Sequence, residues 1–381
     1  MTADGADDNA LLSVRDLRTH IDTGDGRLHA VDGVSFDVAA GETVCLVGES
    51  GSGKSVTCES ITGLVPSPPV DVVGGSATFD GEPLLGRSDR ELRAVRGDRI
   101  AHVFQNPQRA LDPVYTVGEQ VAEPVTIHGT QIEEAPRDRA IDLLRRVGIP
   151  RASERVDDYP HEFSGGMQQR VAIAIALAAD PDLVIADEPT TAVDVTVQAR
   201  LIDLFRELTD DGTALLLVTH DLRVTASLAD RVLVMYGGTI LERGPVGDVF
   251  STPAHPYTQA LFGSYGERQE SDTVRPARGD VPTDGCRFRR ECPHVVDACA
   301  GGDQPAFHAV EDDPTHVASC VHYAPDGDPS AIRAAAATSS PTAASSSRTE
   351  SSSRTESSPD CVQSSDPTCA HDTRPEVDAD E

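Results

Sequence analysis

The sequence predicts an α/β fold built around a phosphate-binding loop at the end of a buried strand. The loop is GESGSGKS at Gly48–Ser55, which matches the pattern G-x-x-x-x-G-K-[ST]. The apolar run Thr43–Val47 before it predicts a buried strand, and Ser55–Leu64 after it predicts a helix that ends before Pro66. A strand, a glycine loop and a helix in this order are the context in which the pattern binds nucleotide phosphates.

Lys54 in this loop is the single lysine among the 32 lysines and arginines of the chain. A lysine kept at one position indicates a need for a compact ammonium that a planar guanidinium cannot replace. In this motif the lysine reaches the β- and γ-phosphates, the Ser55 hydroxyl binds Mg²⁺, and the glycines let backbone N–H groups approach phosphate oxygens. The predicted nucleotide-binding residues are Gly48, Ser50, Gly51, Gly53, Lys54 and Ser55.

A second apolar run, Leu183–Asp187, predicts a strand that ends in two acids. Doubly wound sheets bind ligands at the carboxyl ends of their strands. Asp187 therefore suits a Mg²⁺-associated carboxylate, and Glu188 suits a base that orients an attacking water molecule. Paired acids at a strand end are otherwise a common solvated turn, but the phosphate loop upstream favours the functional interpretation.

Two more strand-like runs end in polar side chains. Ala214–Thr219 is followed by His220, and Ile100–Phe104 is followed by Gln105. The same topological argument places both side chains at the ligand-binding edge of the sheet. His220 is one of 12 histidines, and a histidine taken alone is more often structural than catalytic.

A second glycine-rich segment, FSGGMQQR at Phe163–Arg170, opens an Ala/Ile-rich stretch that runs to Ala179. The stretch predicts a buried helix, which Asp180 and Pro181 end. Its Ser-Gly-Gly start gives the chain a second anion-binding helix end. The same triplet is also a common turn or cap, so the structural interpretation stays open on these residues alone.

In this order the motifs resemble the ATPase domain of ABC transporters, over roughly residues 11–247. The resemblance implies a RecA-like α/β core with an antiparallel β subdomain and a helical insert at about residues 106–163. It makes Glu188, His220 and Gln105 the catalytic residues, with ATP and Mg²⁺ as cofactors. It also implies a signature that contacts a partner's ATP (Ser164, Gly165, Gly166, Met167), a D-loop residue (Asp194) and Mg²⁺ ligands (Ser55, Gln105, Asp187).

The resemblance further implies that two such subunits pair head to tail, with each ATP between one phosphate loop and the other subunit's signature helix. This pairing explains why one chain has two anion-binding helix ends and one phosphate loop. Closure excludes water and surrounds the γ-phosphate with charge. Glu188 then positions the water, His220 contacts the γ-phosphate, and Gln105 relays nucleotide occupancy to the membrane subunits.

The sequence departs from the family pattern at two places. The signature ends in Met167, where many members have Gln, and this difference bears on the partner's ATP site. An aromatic residue that stacks on adenine is absent, because no Phe, Tyr or Trp lies between Leu12 and Ala30. His20 and His29 are the two candidate substitutes.

Finer resemblance indicates the oligopeptide/dipeptide (peptide/nickel) importer family. It rests on Tyr159–Met167, Asp187–Gln198 and the HPYT element within Pro253–Thr258. A signature Met is typical of one of that family's two paired ATPase subunits. The implied partners are therefore a second homologous ATPase, two transmembrane permeases and an extracytoplasmic substrate-binding protein, with the chain peripheral on the cytoplasmic face of the membrane.

Two alternatives remain open from the sequence. Some relatives in this class carry sugars or nickel, and soluble ABC ATPases act in DNA repair or translation. Those soluble ATPases generally have two cassettes or a long coiled-coil insertion, and this sequence shows neither. The predicted organisation is an ATPase domain at 9–250, a small cysteine-containing extension at 251–328 and a disordered Ser/Thr-rich acidic tail at 329–381, where SSSRTE occurs twice.

Four cysteines lie in the predicted extension, at Cys286, Cys292, Cys299 and Cys320. Their spacing matches neither the usual zinc patterns nor ferredoxins. Similar cysteines in the resembling family are associated with a [4Fe–4S] cluster, so iron–sulfur is the first expectation. Zinc, with His294 as a further ligand, and free thiols are the alternatives. Two cysteines beside the phosphate loop, Cys45 and Cys58, are predicted to be buried and structural.

Charge and hydropathy restrict the remaining possibilities. The formal net charge is −31, which argues against nucleic-acid binding because that requires cationic neutralisation of phosphates. Molecules with so acidic a surface repel one another unless salt screens their charges. The acidic composition therefore predicts a protein from an extreme halophile. The longest apolar run, Val171–Ala179, is about half of the roughly 20 residues that a membrane-spanning helix needs. Met1–Asn9 is acidic and unlike a signal peptide.

Overall fold

The computed structural model describes residues 10–24, 26–128, 134–191, 193–266, 281–330 and 332–333. All of them lie in the first of the two units into which the chain divides, between Pro341 and Thr342. The acidic segment Met1–Asn9 lies outside the described residues. So does the predicted disordered tail from residue 334 onward, with its SSSRTE repeats and the cysteines Cys361 and Cys369.

Within the described ranges the strands form two sheets, one antiparallel and one mixed. In chain order the strands are β1 (Ala10–Thr23), β2 (Gly26–Ala39), β3 (Thr43–Val47), β4 (Val70–Phe79), β5 (Glu82–Pro83), β6 (Ile100–Val103), β7 (Leu183–Asp187), β8 (Ala214–Thr219), β9 (Arg231–Tyr236), β10 (Thr239–Pro245), β11 (Phe307–Val310) and β12 (Asp313–Ser319).

The mixed sheet has the order β11-β12-β10-β9-β3-β8-β7-β6, and its strands from β9 to β6 are parallel. Every residue of β3 and β8 is buried, as expected for continuous apolar strands of a parallel sheet that is covered on both faces. Alternate β3 residues pack into different cores: Cys45 and Val47 into one, Val44 and Leu46 into the other. Cys58 is also buried, as predicted.

The antiparallel sheet has the order β2-β1-β4-β5 and matches the predicted antiparallel subdomain. β1 and β2 form a long hairpin whose ends pair Ala10 with Ala39 and Thr23 with Gly26. The buried face of this sheet, with Leu12, Phe36 and Phe79, packs on the core that contains alternate residues of β3. The hairpin therefore joins directly to the strand that leads into the phosphate loop.

Helices cover the mixed sheet, and α3–α7 lie between β6 and β7, with α3–α6 inside the region of about 106–163 predicted for a helical insert. No helix in the described part of the chain is long and apolar enough to cross a membrane. The helices are α1 (Lys54–Ile61), α2 (Asp89–Arg93), α3 (Pro107–Ala110), α4 (Val117–His128), α5 (Pro136–Arg146), α6 (Ala152–Arg155), α7 (Gly165–Ala176), α8 (Val195–Asp210), α9 (Leu222–Leu228), α10 (Val246–Ser251) and α11 (Pro256–Gly266).

The C-terminal segment adds two strands to the mixed sheet, because β12 pairs with β10 and β11 pairs with β12. Glu242 of β10 is completely buried at this junction. Its carboxylate accepts hydrogen bonds from the backbone N–H groups of Ala254 (2.8 Å) and His255 (2.7 Å) and lies 2.8 Å from His316 Nε2. A buried carboxylate is tolerated when its oxygens are paired in this way. These contacts fix the HPYT element and β12 against the central sheet.

Candidate functional site

The loop after β3 follows a path that requires glycine at two positions. Gly48 has φ 153°, and a Cβ there would lie 2.1 Å from the Met235 carbonyl oxygen. Gly53 has φ 107°, and a Cβ there would lie 2.3 Å from the Ala30 carbonyl oxygen. Any side chain at either position would collide with the backbone of β9 or β2. The glycines therefore let the loop curl tightly between the two sheets and into the start of α1.

Lys54 lies within this loop, and only 5% of its surface is exposed. Its ammonium donates hydrogen bonds to the carbonyl oxygens of Gly48 (2.8 Å) and Glu49 (2.7 Å) and to Ser52 Oγ at 3.3 Å. Burial lowers the pKa of Lys54, although the nearby carboxylates of Glu188 and Asp187 oppose this shift. These contacts hold one concentrated positive charge inside the loop, as phosphate binding requires.

Helix α1 starts at Lys54 with its N-terminal backbone groups free of side-chain caps. Gly53 is the N-cap residue and provides no side-chain hydrogen bond, and the first turn contains no acid. The partial positive charge of the helix N-terminus is thus unopposed in the loop. This geometry is the usual anion-binding arrangement of a glycine loop that leads into a helix.

Asp187 and Ser55 provide a pair of oxygen donors at the end of β7. Burial raises the pKa of Asp187, although the Ser55 hydroxyl lies near enough to the carboxylate to oppose this shift. Asp187 Oδ1 is buried without a partner. An orphaned buried carboxylate oxygen beside a hydroxyl fits Mg²⁺, which binds through one or two carboxylates together with substrate phosphates rather than through an all-protein cage. The residues present therefore fit the expected ion.

The Glu188 carboxylate lies at the centre of a group of polar side chains from three segments, which follow β6, β7 and β8. It accepts hydrogen bonds from Gln105 Nε2 (2.9 Å) and Thr191 Oγ1 (3.0 Å) and lies 3.0 Å from His220 Nδ1. Burial raises the pKa of Glu188, but the contacts with His220, Gln105 and Thr191 outweigh it, so the pKa is lowered overall. The carboxylate is therefore ionised at neutral pH, as a base that orients water must be.

The backbone at Glu188 is unusual for a residue with a side chain. Its φ is +48°, in the left-handed region, and its N–H donates to the Val218 carbonyl oxygen at 2.8 Å. Such a conformation costs energy for a non-glycine residue and is found most often at functional sites. The hydrogen bond to β8 holds the carboxylate at the strand edge, beside His220.

A cavity of about 290 Å³ joins these groups. It combines a polar wall from the phosphate loop, Gln105 and Glu188 with an apolar wall from the β1–β2 hairpin. The lining residues are Ile21, Leu28, His29, Ala30, Ser50, Gly51, Gly53, Lys54, Ser55, Val56, Gln105, Glu188, Gly237, Gly238 and Val281.

Both histidines that the sequence offered in place of an adenine-stacking aromatic lie at this hairpin. The rings of His20 and His29 stack on each other, with centroids 4.1 Å apart and planes 19° apart. His29 lines the cavity and His20 does not. One face of the His29 ring is therefore occupied by its neighbour, and aliphatic side chains supply most of the apolar wall.

The predicted signature residues lie at the N-terminus of α7 and do not line this cavity. Ser164 is the N-cap residue and its side chain makes no capping hydrogen bond, and the first turn carries no acid. Ser164 and Gly165 are exposed, whereas the Met167 sulfur lies 3.6 Å from an Arg155 guanidinium nitrogen. The α7 terminus is thus an uncapped helix end that lies outside its own chain's phosphate-loop cavity.

Asp194 has a local structural role that the sequence did not indicate. Its side chain accepts a hydrogen bond from the Val197 backbone N–H at 3.0 Å and so caps α8. Ala192, in the same predicted loop, lies outside the described residues.

The four C-terminal cysteines share one neighbourhood. Cys286, Cys299 and Cys320 are buried and Cys292 is half-buried. Burial, reinforced by the other three cysteines, raises the pKa of Cys320 to about 12. Within the described ranges, no three His, Cys, Asp or Glu side chains are placed to hold a metal ion. The described residues therefore show no ligand geometry for the expected iron–sulfur cluster or for zinc.

Sequence reasoning missed a contact between the HPYT element and the phosphate loop. The Tyr257 hydroxyl accepts a hydrogen bond from the Glu49 backbone N–H at 3.0 Å, across 208 positions of the chain. Tyr257 is fully buried, and its ring packs against Tyr236 and Phe288. The conspicuous HPYT pattern was the available signal, but nothing local indicated what it touches.

Comparison with known proteins finds two family models that match different parts of the chain. The family model described as "ABC transporter" matches residues 31–191, and the model described as "Oligopeptide/dipeptide transporter, C-terminal region" matches residues 241–299. The first range holds the phosphate loop, the signature and the two acids after β7. The second begins in β10 and includes the HPYT element and three of the four C-terminal cysteines.

Individual relatives cover most of the chain. The probable peptide ABC transporter ATP-binding protein y4tR of Sinorhizobium fredii is 45% identical over 318 residues, 81% of this chain and 94% of its own. The dipeptide transport ATP-binding protein DppD of Escherichia coli is 43% identical over 310 residues, 80% and 94% of the two chains. Among solved structures, a dimeric bacterial ABC transporter cassette is 30% identical with a TM-score of 0.56, covering 62% of this chain and 98% of its own.

Proposed function

The chain belongs to the ABC transporter ATP-binding proteins that carry the oligopeptide/dipeptide C-terminal region, and on that premise we propose that it hydrolyses ATP to power peptide import. The observation that carries the catalytic part is the Glu188 carboxylate, which the side chains of Gln105, Thr191 and His220 position in the same cavity as Lys54. A buried, ionised carboxylate beside a phosphate-binding ammonium is the arrangement that hydrolysis of a nucleoside triphosphate needs.

Each part of this site has a defined task in hydrolysis. The phosphate loop and Lys54 bind the β- and γ-phosphates, and Glu188 holds the attacking water in line. His220 is placed through its Nδ1 contact with Glu188, which leaves its other ring nitrogen for the γ-phosphate. Ser55 and Asp187 would hold Mg²⁺, which would supply positive charge opposite the phosphate oxygens. Gln105 donates to Glu188, so its amide senses the state of the catalytic carboxylate.

A second ATPase subunit completes the site. The open N-terminus of α7, with Ser164, Gly165 and Gly166, lies outside the cavity that contains Lys54. An anion-binding helix end exposed on the surface supports head-to-tail pairing, in which it covers the partner's ATP. The signature Met167 favours a homologous second subunit over a second copy of this chain.

Permeases and a binding protein are the other proposed partners, with the chain peripheral on the cytoplasmic face of the membrane. The relatives' names support peptides as the cargo, since they include dipeptide and probable peptide transport proteins. Purification from native membranes in molar KCl tests the assembly. Recovery with two permeases and a second ATPase supports it, whereas recovery as a single species that no permease accompanies contradicts it.

Two finer proposals concern the environment and the C-terminal cysteines. The net charge of −31 and the single lysine support the proposal that the protein works in a cytoplasm of high salt concentration. ATPase activity that peaks in low salt and falls in molar KCl would contradict this proposal. An iron–sulfur cluster is proposed on the family resemblance of the four C-terminal cysteines, and the side-chain positions of the described residues add no support to it. Iron and sulfide analysis of anaerobically purified protein tests it, and the absence of both elements would reject it.

A further inference from the structure

The apolar wall of the nucleotide cavity contains one residue from the far end of the chain. Ile21 of β1 and Leu28 of β2 come from the N-terminal hairpin, whereas Val281 comes from the C-terminal segment. Leu28 is 54% exposed, so its side chain is accessible to a ligand in the cavity. Among the residues that the structure describes, no Phe, Tyr or Trp lines this cavity.

Val281 is held in the apolar wall of the cavity by close packing against Gly237. Its Cγ1 atom lies over Gly237, where an added Cβ would come within 2.6 Å of it. Gly237 and Gly238 form the turn between β9 and β10 and line the same cavity. Gly237 therefore leaves the space that a methyl group of Val281 fills.

A buried ion pair ties the Val281 segment to the hairpin. The Arg287 guanidinium donates to the Pro282 carbonyl oxygen and to the Asp32 carboxylate. Asp32 lies on β2, and its backbone N–H donates to the Gly238 carbonyl oxygen at 2.8 Å. Arg287 and Asp32 are both nearly buried, so neither charge is free to relocate without a large cost. Val281 and Leu28 are therefore attached to one connected scaffold.

From this arrangement we propose that Ile21, Leu28 and Val281 form an aliphatic clamp for the planar nucleobase, in place of a stacking aromatic. The inference rests on the proposed ATP-binding function and adds a specificity-determining residue to it. The clamp binds through apolar contact with the two faces and the edge of the base, while the phosphate loop binds the charged end. The C-terminal segment thereby becomes part of the nucleotide site, and its loss would weaken ATP binding even with every cassette motif intact.

The experiment measures equilibrium binding of two ligands, MgATP and base-free tripolyphosphate, to the full chain in molar KCl. Val281→Ala is expected to weaken ATP binding by about 10-fold, the effect of removing one or two methyl groups from an apolar pocket. Its tripolyphosphate binding is expected to equal that of the unmodified chain. Val295→Ala, at a residue that is 51% exposed in the same segment and outside the cavity, is the matched control and should bind both ligands normally.

Lys54→Ala separates this inference from the function on which it rests. This variant is expected to lose affinity for both ligands, because the ammonium contacts phosphates and not the base. If Val281→Ala binds ATP as tightly as the unmodified chain, or weakens both ligands equally, the base clamp is wrong and ATP binding stands. If the unmodified chain itself binds no ATP, the proposed function fails and the clamp fails with it.

Discussion

His220 Nδ1 lies 3.0 Å from Glu188 Oε1, and the two residues follow neighbouring parallel strands, β8 and β7. The contact aligns a histidine that is mostly exposed with a carboxylate that is mostly buried. Gln105 and Thr191 occupy the other carboxylate oxygen, Oε2. The carboxylate is thus oriented by three side chains, and its charge points into the cavity that contains Lys54.

Glu188→Gln should lower ATP hydrolysis by about 10²–10⁴-fold, the usual loss when a general base is removed. ATP binding should persist, because the phosphate loop is unchanged. Single-turnover hydrolysis and equilibrium binding measure the two effects separately. Glu154→Gln, on an exposed part of α6, is the matched control and should hydrolyse ATP normally. Near-normal turnover by Glu188→Gln would show that another group orients the water.

Asp187→Asn should weaken Mg²⁺ binding in the nucleotide complex by about 10–100-fold, because a charged oxygen ligand is replaced by a neutral amide. A Mg²⁺ titration of ATP binding at fixed ATP concentration measures this shift. Asp182→Asn, at an exposed residue that precedes the same strand, is the control. An unchanged Mg²⁺ requirement in Asp187→Asn would remove Asp187 from the metal site.

Tyr257→Phe should weaken ATP binding by about 2–10-fold. The variant leaves the Glu49 backbone N–H of the phosphate loop without its 3.0 Å acceptor, and a neutral hydrogen bond contributes about 0.5–1.5 kcal/mol. ATP titration of the variant checks this value. Tyr159→Phe, which also removes a tyrosine hydroxyl but at an exposed site, should bind ATP as the unmodified chain does. Equal affinities for all three proteins would mean that Tyr257 only fills the core.

The buried His255 should make the free energy of unfolding depend on pH. Its Nδ1 accepts the Tyr257 backbone N–H at 3.0 Å, and burial lowers its pKa to about 3. The unfolded chain binds a proton at about pH 6.5 and the folded chain does not, so stability is complete above that pH and declines below it. Between pH 7 and pH 5 this histidine should lower the free energy of unfolding by about 2 kcal/mol.

Denaturant unfolding of the unmodified chain and of His255→Gln at pH 7 and pH 5 measures how much His255 contributes to the pH dependence of stability. The variant lacks the titrating group, so its loss of stability between pH 7 and pH 5 should be smaller by about 2 kcal/mol. The same pH dependence in both proteins would contradict a neutral buried His255.

The core strands and the phosphate end of the site were predictable because their signals are local. Thr43–Val47 and Ala214–Thr219 are apolar runs without interruption, which a doubly covered parallel sheet requires. Each run ends in a residue that the topology places at the sheet edge, so Lys54, Glu188 and His220 could be expected to meet. The structure brings these predicted side chains into or beside one cavity.

The contacts made by the C-terminal segment were not predictable from the sequence. Tyr257 meets Glu49 across 208 positions, and Arg287 meets Asp32 across 255. Neither pair leaves a periodic or compositional signal, because each joins residues that only the tertiary fold brings together. The spacing of the four C-terminal cysteines likewise did not indicate how their thiols are arranged in space. Family resemblance alone suggested a cluster, and the thiols of the described residues are not placed as metal ligands.

Peptide-stimulated ATP hydrolysis by the assembled complex tests the central claim most directly. The complex, purified from native membranes in molar KCl, is assayed with its binding protein and candidate peptides, and then with Glu188→Gln in place of the unmodified chain. A rise in ATP turnover on adding peptide, abolished by Glu188→Gln, is the predicted result. Turnover that no peptide changes, or a response that persists in Glu188→Gln, would contradict a peptide importer powered by this site.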